Sequence, residues 1–388
     1  MPNKKDWKTR LIHSDAEVPE GFRSLSTPVY RASTVLFPRA AAASDRWNQH
    51  EIGYTYGLYG TPTTLELAAK VCELEKGFRT FITPGGQGAI SLIHLALLKA
   101  GDHVLLPENI YGPNRMFSNQ VLRRFGVEVS YYQPGAGADI RSEFKSNTRL
   151  VWVENPGSIT MEVQDIPAIA EAAHRHGALV VMDNTWSAGI YFDAFAHGVD
   201  VTMQALTKYV GGHSDLLLGS VTVRDQEIYK LLGETQQALG CAPSPDDCSL
   251  ALRGMKTMAV RLKAVEQSAL ALAQWLSGRP EVELVLHPAL PSCPGHELWK
   301  RDFSGSSGLF SVVLDRRFNK EQVFRFVDAL KLFKIGYSWG GVTSLVMTYD
   351  LSSPKRPAYA HRLVRLYTGL ESIDDLIADV EQALAALR

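Results

Sequence analysis

Short apolar runs that end on polar residues alternate with helical patterns between about residues 80 and 225. Two of these runs, Leu179–Met182 and Val199–Leu206, are followed by Asp183 and by Thr207 and Lys208. A short apolar run between polar residues is typical of a buried parallel strand. The alternation predicts an α/β fold, with a mostly parallel sheet and helices on both of its faces.

The remaining patterns predict three parts of the chain. Residues 1–57 have weak periodicity and predict an N-terminal arm with a short helix, which we expect to be buried against a partner subunit. Residues 58–250 form the predicted large domain, and residues 251–388 a smaller C-terminal α/β domain with an antiparallel sheet. Apolar residues at about 3.6-residue spacing in 255–276 predict a long helix that links the two domains.

The composition is that of a globular protein and favours neither nucleic acid nor a membrane as partner. Of the 388 residues, 45% are hydrophobic and 21% are charged, and the formal net charge is −1. A chain of this length exceeds one simple core, and its near-neutral charge gives no electrostatic attraction to nucleic acid or anionic lipid. No apolar run reaches the roughly 18 residues of a membrane-spanning helix, and we expect no secretory signal because no apolar stretch follows the basic start.

Cysteine and histidine positions suggest a reducing compartment and no metal. The four cysteines contain no CxxC pair, so we expect free thiols and a cytoplasmic protein, with a Cys241–Cys248 disulfide as the alternative. His174 and His176 have no further ligands near them, so a solvated helix face is expected there and not a metal site.

The polar residues that end the apolar runs give the first indication of chemistry. Asp183 at the tip of one strand and Lys208 just past the next would place a carboxylate and an amine at one sheet edge, where ligands bind in open α/β sheets. A lysine amine can form a Schiff base with an aldehyde, and a carboxylate can keep a pyridinium nitrogen protonated, as in a pyridoxal phosphate enzyme. Taken alone, such a pair is more often a helix cap and a surface lysine.

Two other stretches have the composition of binding sites. The glycine-rich turn at 83–88 precedes a helix, where backbone N–H groups and the helix dipole favour an anion, although a simple tight turn is the alternative. Arg365 alternates with apolar residues, so a strand would direct its guanidinium to one side, in a geometry suited to a carboxylate or to a structural ion pair.

Several longer segments resemble one enzyme family. They are MDNTW, ALTKYVGGHSD, ENPGSITMEVQDIP, GHELWKRDFSGSSGLFS and YSWGG. From about Tyr54 to the C-terminus, the chain resembles the transsulfuration (Cys/Met metabolism) family of pyridoxal phosphate enzymes. Within that family it is most like the cystathionine β-lyases. The resemblance implies the aspartate-aminotransferase-like fold (fold type I), a large mostly parallel sheet domain followed by a smaller C-terminal α/β domain.

The resemblance also implies where the cofactor, pyridoxal 5′-phosphate, would bind. Lys208 would hold it covalently, and Asp183 would bind its ring nitrogen. Tyr111 would stack on the ring and serve as a catalytic acid or base, and Asn155 would donate to the phenolic oxygen. The phosphate would lie on the amides of Gly86 and Gln87, with the Thr207 hydroxyl as a further donor.

Substrate residues follow from the same resemblance. Arg365 would bind the α-carboxylate, and the loop with Tyr337, Ser338 and Trp339 would line the substrate site. Tyr56 would reach into the site of a neighbouring subunit, so a homodimer or homotetramer with shared sites is expected. The family arginine two residues after this tyrosine is replaced by Leu58, which removes one cationic phosphate contact.

The function implied is α,β-elimination of L-cystathionine to homocysteine, pyruvate and ammonia, with Lys208 taking the Cα proton. A broad cysteine or cysteine-S-conjugate β-lyase, a cystathionine γ-lyase or γ-synthase, and a racemase side activity could use the same residues. A regulator that binds the cofactor without catalysis is the alternative outside the enzymes, and the set Asp183, Lys208 and Arg365 argues against it.

Overall fold

The computed structural model describes residues 6–13, 21, 24–351 and 359–388, so part of the predicted arm lies outside the described residues. Its α-helices are α1 (Trp7–Ile12), α2 (Gln49–Ile52), α3 (Pro62–Glu75), α4 (Gly86–Leu97), α5 (Gly112–Phe117), α6 (Ile166–His176), α7 (Gln226–Leu239), α8 (Pro245–Ser277), α9 (His296–Asp302), α10 (Lys320–Ala329) and α11 (Ile373–Leu384). Its strands are β1 (Arg79–Thr83), β2 (His103–Pro107), β3 (Glu128–Tyr132), β4 (Thr148–Glu154), β5 (Leu179–Asp183), β6 (Val201–Gln204), β7 (Gly219–Val223), β8 (Val282–Leu286), β9 (Leu309–Leu314), β10 (Lys334–Ile335), β11 (Leu345–Leu351) and β12 (Ala360–Tyr367).

The larger sheet has seven strands in the order β1-β7-β6-β5-β4-β2-β3. Neighbouring strands are parallel except at β7, which runs antiparallel to both β1 and β6. The prediction of a mostly parallel sheet is therefore confirmed. Because the strands are parallel, the ends of β4, β5 and β6 meet at one edge, and this edge carries the residues that the sequence singled out.

Both faces of this sheet are covered by helices, as the continuous apolar runs predicted. Alternate residues of a strand point to opposite faces. Val104 and Leu106 of β2 pack in a cluster with side chains of α4 and α7, whereas Leu105 packs in another cluster with side chains of α6. A strand that is buried on both faces has no solvent side, which explains why its sequence does not alternate with polar residues.

The smaller sheet has five strands in the order β10-β11-β12-β9-β8. It is antiparallel apart from the short β10, which pairs in parallel with β11. One face packs on α10, α11 and the last turns of α8, through residues such as Phe310, Val364 and Leu376. This is the predicted C-terminal α/β unit with an antiparallel sheet.

Helix α8 connects the two sheets over 33 residues. Met255 and Met258 in its first half pack in the cluster that contains α3, whereas Leu272 and Leu276 pack against the smaller sheet. The predicted boundary at 250/251 lies inside this helix. We retain the division into arm, large domain and small domain as a proposal in which α8 belongs to both domains.

The described part of the arm has little regular structure and is largely exposed. Leu25 and Leu36 expose 96% and 89% of their surface. Within the arm, Thr34 pairs with Tyr56 in an isolated bridge, and the Tyr30 amide donates to the Thr63 hydroxyl of α3 at 2.8 Å. Within the described ranges, no helix combines the length and the apolarity needed to cross a bilayer.

Candidate active site

A cavity of about 450 Å³ lies at the carboxyl edge of the larger sheet. Its walls are the ends of β4, β5 and β6, the N-terminus of α4, and the aromatic loop at 337–339. Residues predicted from the sequence that line it are Gly86, Gln87, Tyr111, Asp183, Thr207, Lys208, Tyr337, Ser338 and Trp339. The structure thus brings together side chains from both parts of the chain.

Lys208 lies just beyond β6, and its amine has an altered proton affinity. Burial, together with the nearby charge of Arg365, lowers the pKa of Lys208 to about 8, while Asp183 opposes the change. The amine donates a hydrogen bond to the Ser338 hydroxyl. A buried lysine with a lowered pKa is available as a nucleophile or base near neutral pH.

Asp183 is the last residue of β5 and is held by Thr185. The Thr185 amide donates to its carboxylate at 3.0 Å, and the Thr185 hydroxyl donates to the same oxygen. Burial raises the pKa of Asp183, and the hydrogen bonds from Thr185 and the charge of Lys208 oppose this. These donors stabilise the carboxylate form, which could bind a protonated ring nitrogen.

The start of α4 has the features of an anion site. Gly85 precedes it with φ of 85° and no side chain caps the helix, so the first N–H groups are open to the cavity. A Cβ at Gly86 would lie 2.8 Å from the Cβ of Ala205, so only glycine allows this approach of helix and strand end. The buried Oε1 of Gln87 has no hydrogen-bond partner among the described residues. The open N–H groups at the start of α4 are donors and fit the phosphate of pyridoxal phosphate, whereas the Gln87 oxygen can only accept a hydrogen bond.

Thr207 lines the same end of the cavity, but its hydroxyl is already engaged. It donates to the carbonyl of Leu218 at 3.1 Å and accepts from the amide of Leu218 at 3.1 Å. To donate to a phosphate, as the sequence predicted, the hydroxyl would have to turn away from Leu218.

Tyr111 immediately precedes α5 and places its half-buried ring in the cavity wall. Its backbone N–H donates to the Glu154 carboxyl group at 2.7 Å. Burial raises the pKa of the Tyr111 hydroxyl, and the negative charge of Asp183 raises it further. The hydroxyl is therefore a proton donor at neutral pH.

Arg365 lies in the middle of β12 and is only 7% exposed. Its Nη1 donates to the carbonyl of Ser158 at 3.1 Å, and its guanidinium carbon is 4.9 Å from the centre of the Tyr349 ring. It shares a narrow crevice beside the cavity with Ser338. No carboxylate among the described residues forms an ion pair with it, which leaves the guanidinium available for a substrate carboxylate.

Besides Arg365, which lies in the adjoining crevice, two predicted residues do not line the cavity of this chain. Asn155 accepts a hydrogen bond from the backbone amide of Gln164 at 2.8 Å, and its own amide nitrogen lies 3.5 Å from the Gln164 carbonyl. Tyr56 lies in the arm and is 44% exposed. Leu58 lines a separate small space of about 40 Å³ with Trp47.

Sequence reasoning missed Glu154 and Ser158, which both line the cavity. Glu154 is the last residue of β4 and is in register with Asp183 on β5. Asn155, one residue past the end of the strand, instead accepts the hydrogen bond from the Gln164 amide. The signal that could have identified Glu154 is its position, since it ends its apolar run just as Asp183 ends the next one.

Comparison with known proteins identifies a family of related enzymes. The family model of the Cys/Met metabolism PLP-dependent enzymes matches residues 8–385. The chain is 42% identical to a cystathionine β-lyase of Bordetella avium, over 94% of this chain and 93% of that protein. It is 38% identical to the cystathionine β-lyase MetC of Escherichia coli, over the full length of both.

Solved structures give the same result for the fold. The crystal structure of metB from Corynebacterium glutamicum matches with a TM-score of 0.91 at 32% identity, covering 100% of both chains. The predicted fold type, a large mostly parallel sheet domain with a smaller α/β domain, is thereby confirmed. The chain belongs to the Cys/Met metabolism PLP-dependent enzymes, and its cofactor is pyridoxal 5′-phosphate.

Proposed function

We propose that the protein is a cystathionine β-lyase, which converts L-cystathionine to homocysteine, pyruvate and ammonia by α,β-elimination. The observation that carries the proposal is the position of Ser338 between two functional groups. Its hydroxyl accepts a hydrogen bond from the Lys208 amine, and it shares a crevice with Arg365. A base for the Cα proton and a guanidinium for the α-carboxylate are therefore next to each other. Full-length relatives with this activity support the same assignment.

The cofactor would be held by residues at the edge of the larger sheet. Lys208 would bind it covalently, Asp183 would bind the ring nitrogen, Tyr111 would cover the ring, and the start of α4 at Gly86 and Gln87 would bind the phosphate. When bound, pyridoxal phosphate supplies an electron-withdrawing ring that stabilises negative charge at the substrate Cα.

The chain's own groups would carry out the proton transfers. Arg365 would bind the α-carboxylate in a bidentate manner and so fix the direction of the Cα–H bond. The Lys208 amine, positioned by Ser338, would take the Cα proton once it is free, since a pKa of about 8 leaves part of it unprotonated at neutral pH. Lys208 or the Tyr111 hydroxyl would then give a proton to the departing sulfur.

The choice of β- over γ-elimination is assigned to Tyr337. Chemistry at Cγ also requires removal of a Cβ proton and a different pose of the substrate. Tyr337 occupies the loop position where γ-specific relatives commonly have a glutamate, and its side chain, 73% exposed, borders the cavity entrance together with Trp339. A tyrosine provides no carboxylate for the distal ammonium of the substrate.

The test is to measure both keto acids formed from L-cystathionine. We expect mainly pyruvate with an equal amount of homocysteine. A mixture dominated by 2-oxobutyrate and cysteine would refute the β-lyase assignment while leaving the cofactor site unaffected. Tyr337→Glu should raise the share of 2-oxobutyrate, with Tyr337→Phe as the matched control that keeps the ring.

We further propose a homo-oligomer with shared sites in the cytoplasm. Two observations support a partner subunit: the arm exposes Leu25 and Leu36, and Tyr56 does not line the cavity of its own chain. The four cysteines are unpaired, as expected for a reducing compartment. Co-expression of Lys208→Ala and Tyr56→Ala chains tests the shared site, because hybrid dimers regain one complete site only if Tyr56 acts on the neighbouring subunit. Cell fractionation tests the location.

A further inference from the structure

Two carboxyl groups stand next to each other at the edge of the larger sheet. Glu154 ends β4 and Asp183 ends β5, and they are partners in the parallel register of these strands. Adjacent strands lie about 4.8 Å apart. Both residues line the cavity, and Glu154 is buried with only 6% of its surface exposed. The negative charge of Asp183 raises the pKa of Glu154, so one of the two carboxyl groups is expected to retain a proton.

The surroundings decide which carboxyl group is ionised. The Asp183 carboxylate accepts hydrogen bonds from the amide and from the hydroxyl of Thr185, and the charge of the Lys208 amine acts on it. The Glu154 carboxyl group accepts a hydrogen bond from the Tyr111 amide, and it forms a second hydrogen bond with the Ser158 hydroxyl. Burial is the main cause that raises the pKa of Glu154 to about 8, and the negative charge of Asp183 is the second. The proton therefore resides on Glu154 at neutral pH, and Asp183 carries the charge.

We propose that Glu154 is a positioning residue that acts as a neutral acid: it fixes the backbone of Tyr111 and leaves Asp183 as the one negative charge at the ring nitrogen. The inference deepens the proposed β-lyase function and rests on it. Tyr111 lies at the start of the short helix α5, where no side chain caps the helix. The bond from its N–H to Glu154 ties it to the end of β4 and so sets the height of its ring over the cavity.

Ionisation of Glu154 would alter the charges around it. The groups that face it are Asp183 from β5, Tyr111 before α5, Arg365 from β12, Ser158 from its own loop, and Tyr132 from β3. Above about pH 8, a second negative charge would stand beside Asp183. Nearby protons on Lys208 and Tyr111 would then be held more tightly, so less free amine would be available to take the Cα proton.

The experiment compares Glu154→Gln and Glu154→Ala in the holoenzyme. Glutamine keeps the oxygen that accepts the Tyr111 N–H but cannot ionise, whereas alanine removes it. At pH 7 we expect kcat of the glutamine variant within about threefold of the wild type and kcat of the alanine variant lowered about tenfold or more. The alkaline fall of kcat/KM should move to higher pH in the glutamine variant.

A glutamine variant as defective as the alanine variant, or one whose pH profile coincides with that of the wild type, would overturn the proposal. Cofactor titration of the apo-protein at pH 7 gives a second measurement, in which only the alanine variant should bind pyridoxal phosphate more weakly. Absence of pyruvate formation by the wild-type protein would instead refute the β-lyase function, and the titration would still decide the role of Glu154. Asp183→Asn serves as the contrast, since loss of that charge should abolish turnover.

Discussion

The Cβ that an alanine would add at Gly340 would lie 2.8 Å from the carbonyl carbon of Lys208. Gly340 has φ of 90°, and Ser338 two residues earlier has φ of 85°. The aromatic loop is therefore pressed against the backbone of Lys208 in a conformation that favours glycine. This contact places Ser338 where its hydroxyl meets the lysine amine.

Gly340→Ala should accordingly lower turnover. The added methyl group has no room, so the loop must move away from Lys208 and the bond between Ser338 and the amine is lost. We expect a decrease in kcat of about tenfold or more, measured as pyruvate release at saturating cystathionine. Gly336→Ala is the control in the same loop, because a Cβ there would meet only the Leu345 side chain at 3.7 Å. Equal activity of the two variants would contradict the positioning role of the contact.

Arg365→Lys should raise KM for cystathionine with a smaller effect on kcat. A lysine cannot reproduce the bidentate contact with a carboxylate, and a hydrogen bond to a charged group contributes about 1.5–3 kcal/mol, which corresponds to roughly a ten- to hundredfold change. Arg362→Lys is the matched control, since this buried arginine of the same strand pairs with Glu283. An unchanged KM in Arg365→Lys would show that another group binds the substrate carboxylate.

Leu58→Arg should tighten cofactor binding. In this chain the phosphate would rely on the start of α4, on Thr207, and on Tyr56 from the partner subunit, without the family arginine. One added charged contact predicts a dissociation constant about tenfold lower or better. Titration of the apo-protein measures this, with Leu58→Met as the uncharged control. Unchanged or weaker binding would mean that another residue already neutralises the phosphate.

Glu75→Gln should make the stability of the protein less dependent on pH. Glu75 is buried at the end of α3, where it accepts hydrogen bonds from Asn184 at 3.0 Å and from Gln204. Burial raises its pKa from 4.5 to about 7. The folded state therefore binds this proton more tightly than the unfolded state, and the stability that it contributes below about pH 4.5 is lost as the pH rises to about 7.

That loss corresponds to roughly 3 kcal/mol, from a pKa difference of 2.5 between 4.5 and about 7. Urea unfolding at pH 5 and pH 8 should show a smaller decrease in unfolding free energy for Glu75→Gln than for the wild type. Glu73→Gln, at an exposed position of the same helix, should behave like the wild type. A decrease of equal size in all three proteins would show that other groups cause the pH dependence.

The sequence by itself determined the elements of the larger sheet and the placement of its key residues. Apolar runs identified the strands, and their alternation with helices required parallel neighbours, so that Asp183 and Lys208 had to meet at one edge. The positions of strands and helices depend on the periodicity of consecutive residues, which can be read directly from the sequence. The same reasoning found the glycine-rich start of α4 and, with the family resemblance, Arg365.

Only the tertiary structure decided how the two sheets meet and which neighbours complete the site. The contact of Lys208 with Ser338 joins residues 130 positions apart, and that of Arg365 with Ser158 joins residues 207 positions apart. The end of β4 was decided in the same way, because strand register places Glu154 beside Asp183, and the Gln164 amide donates a hydrogen bond to Asn155. No local pattern contains these relationships, since they arise only when α8 and the two sheets pack together and fix the distances between residues that are far apart in the sequence.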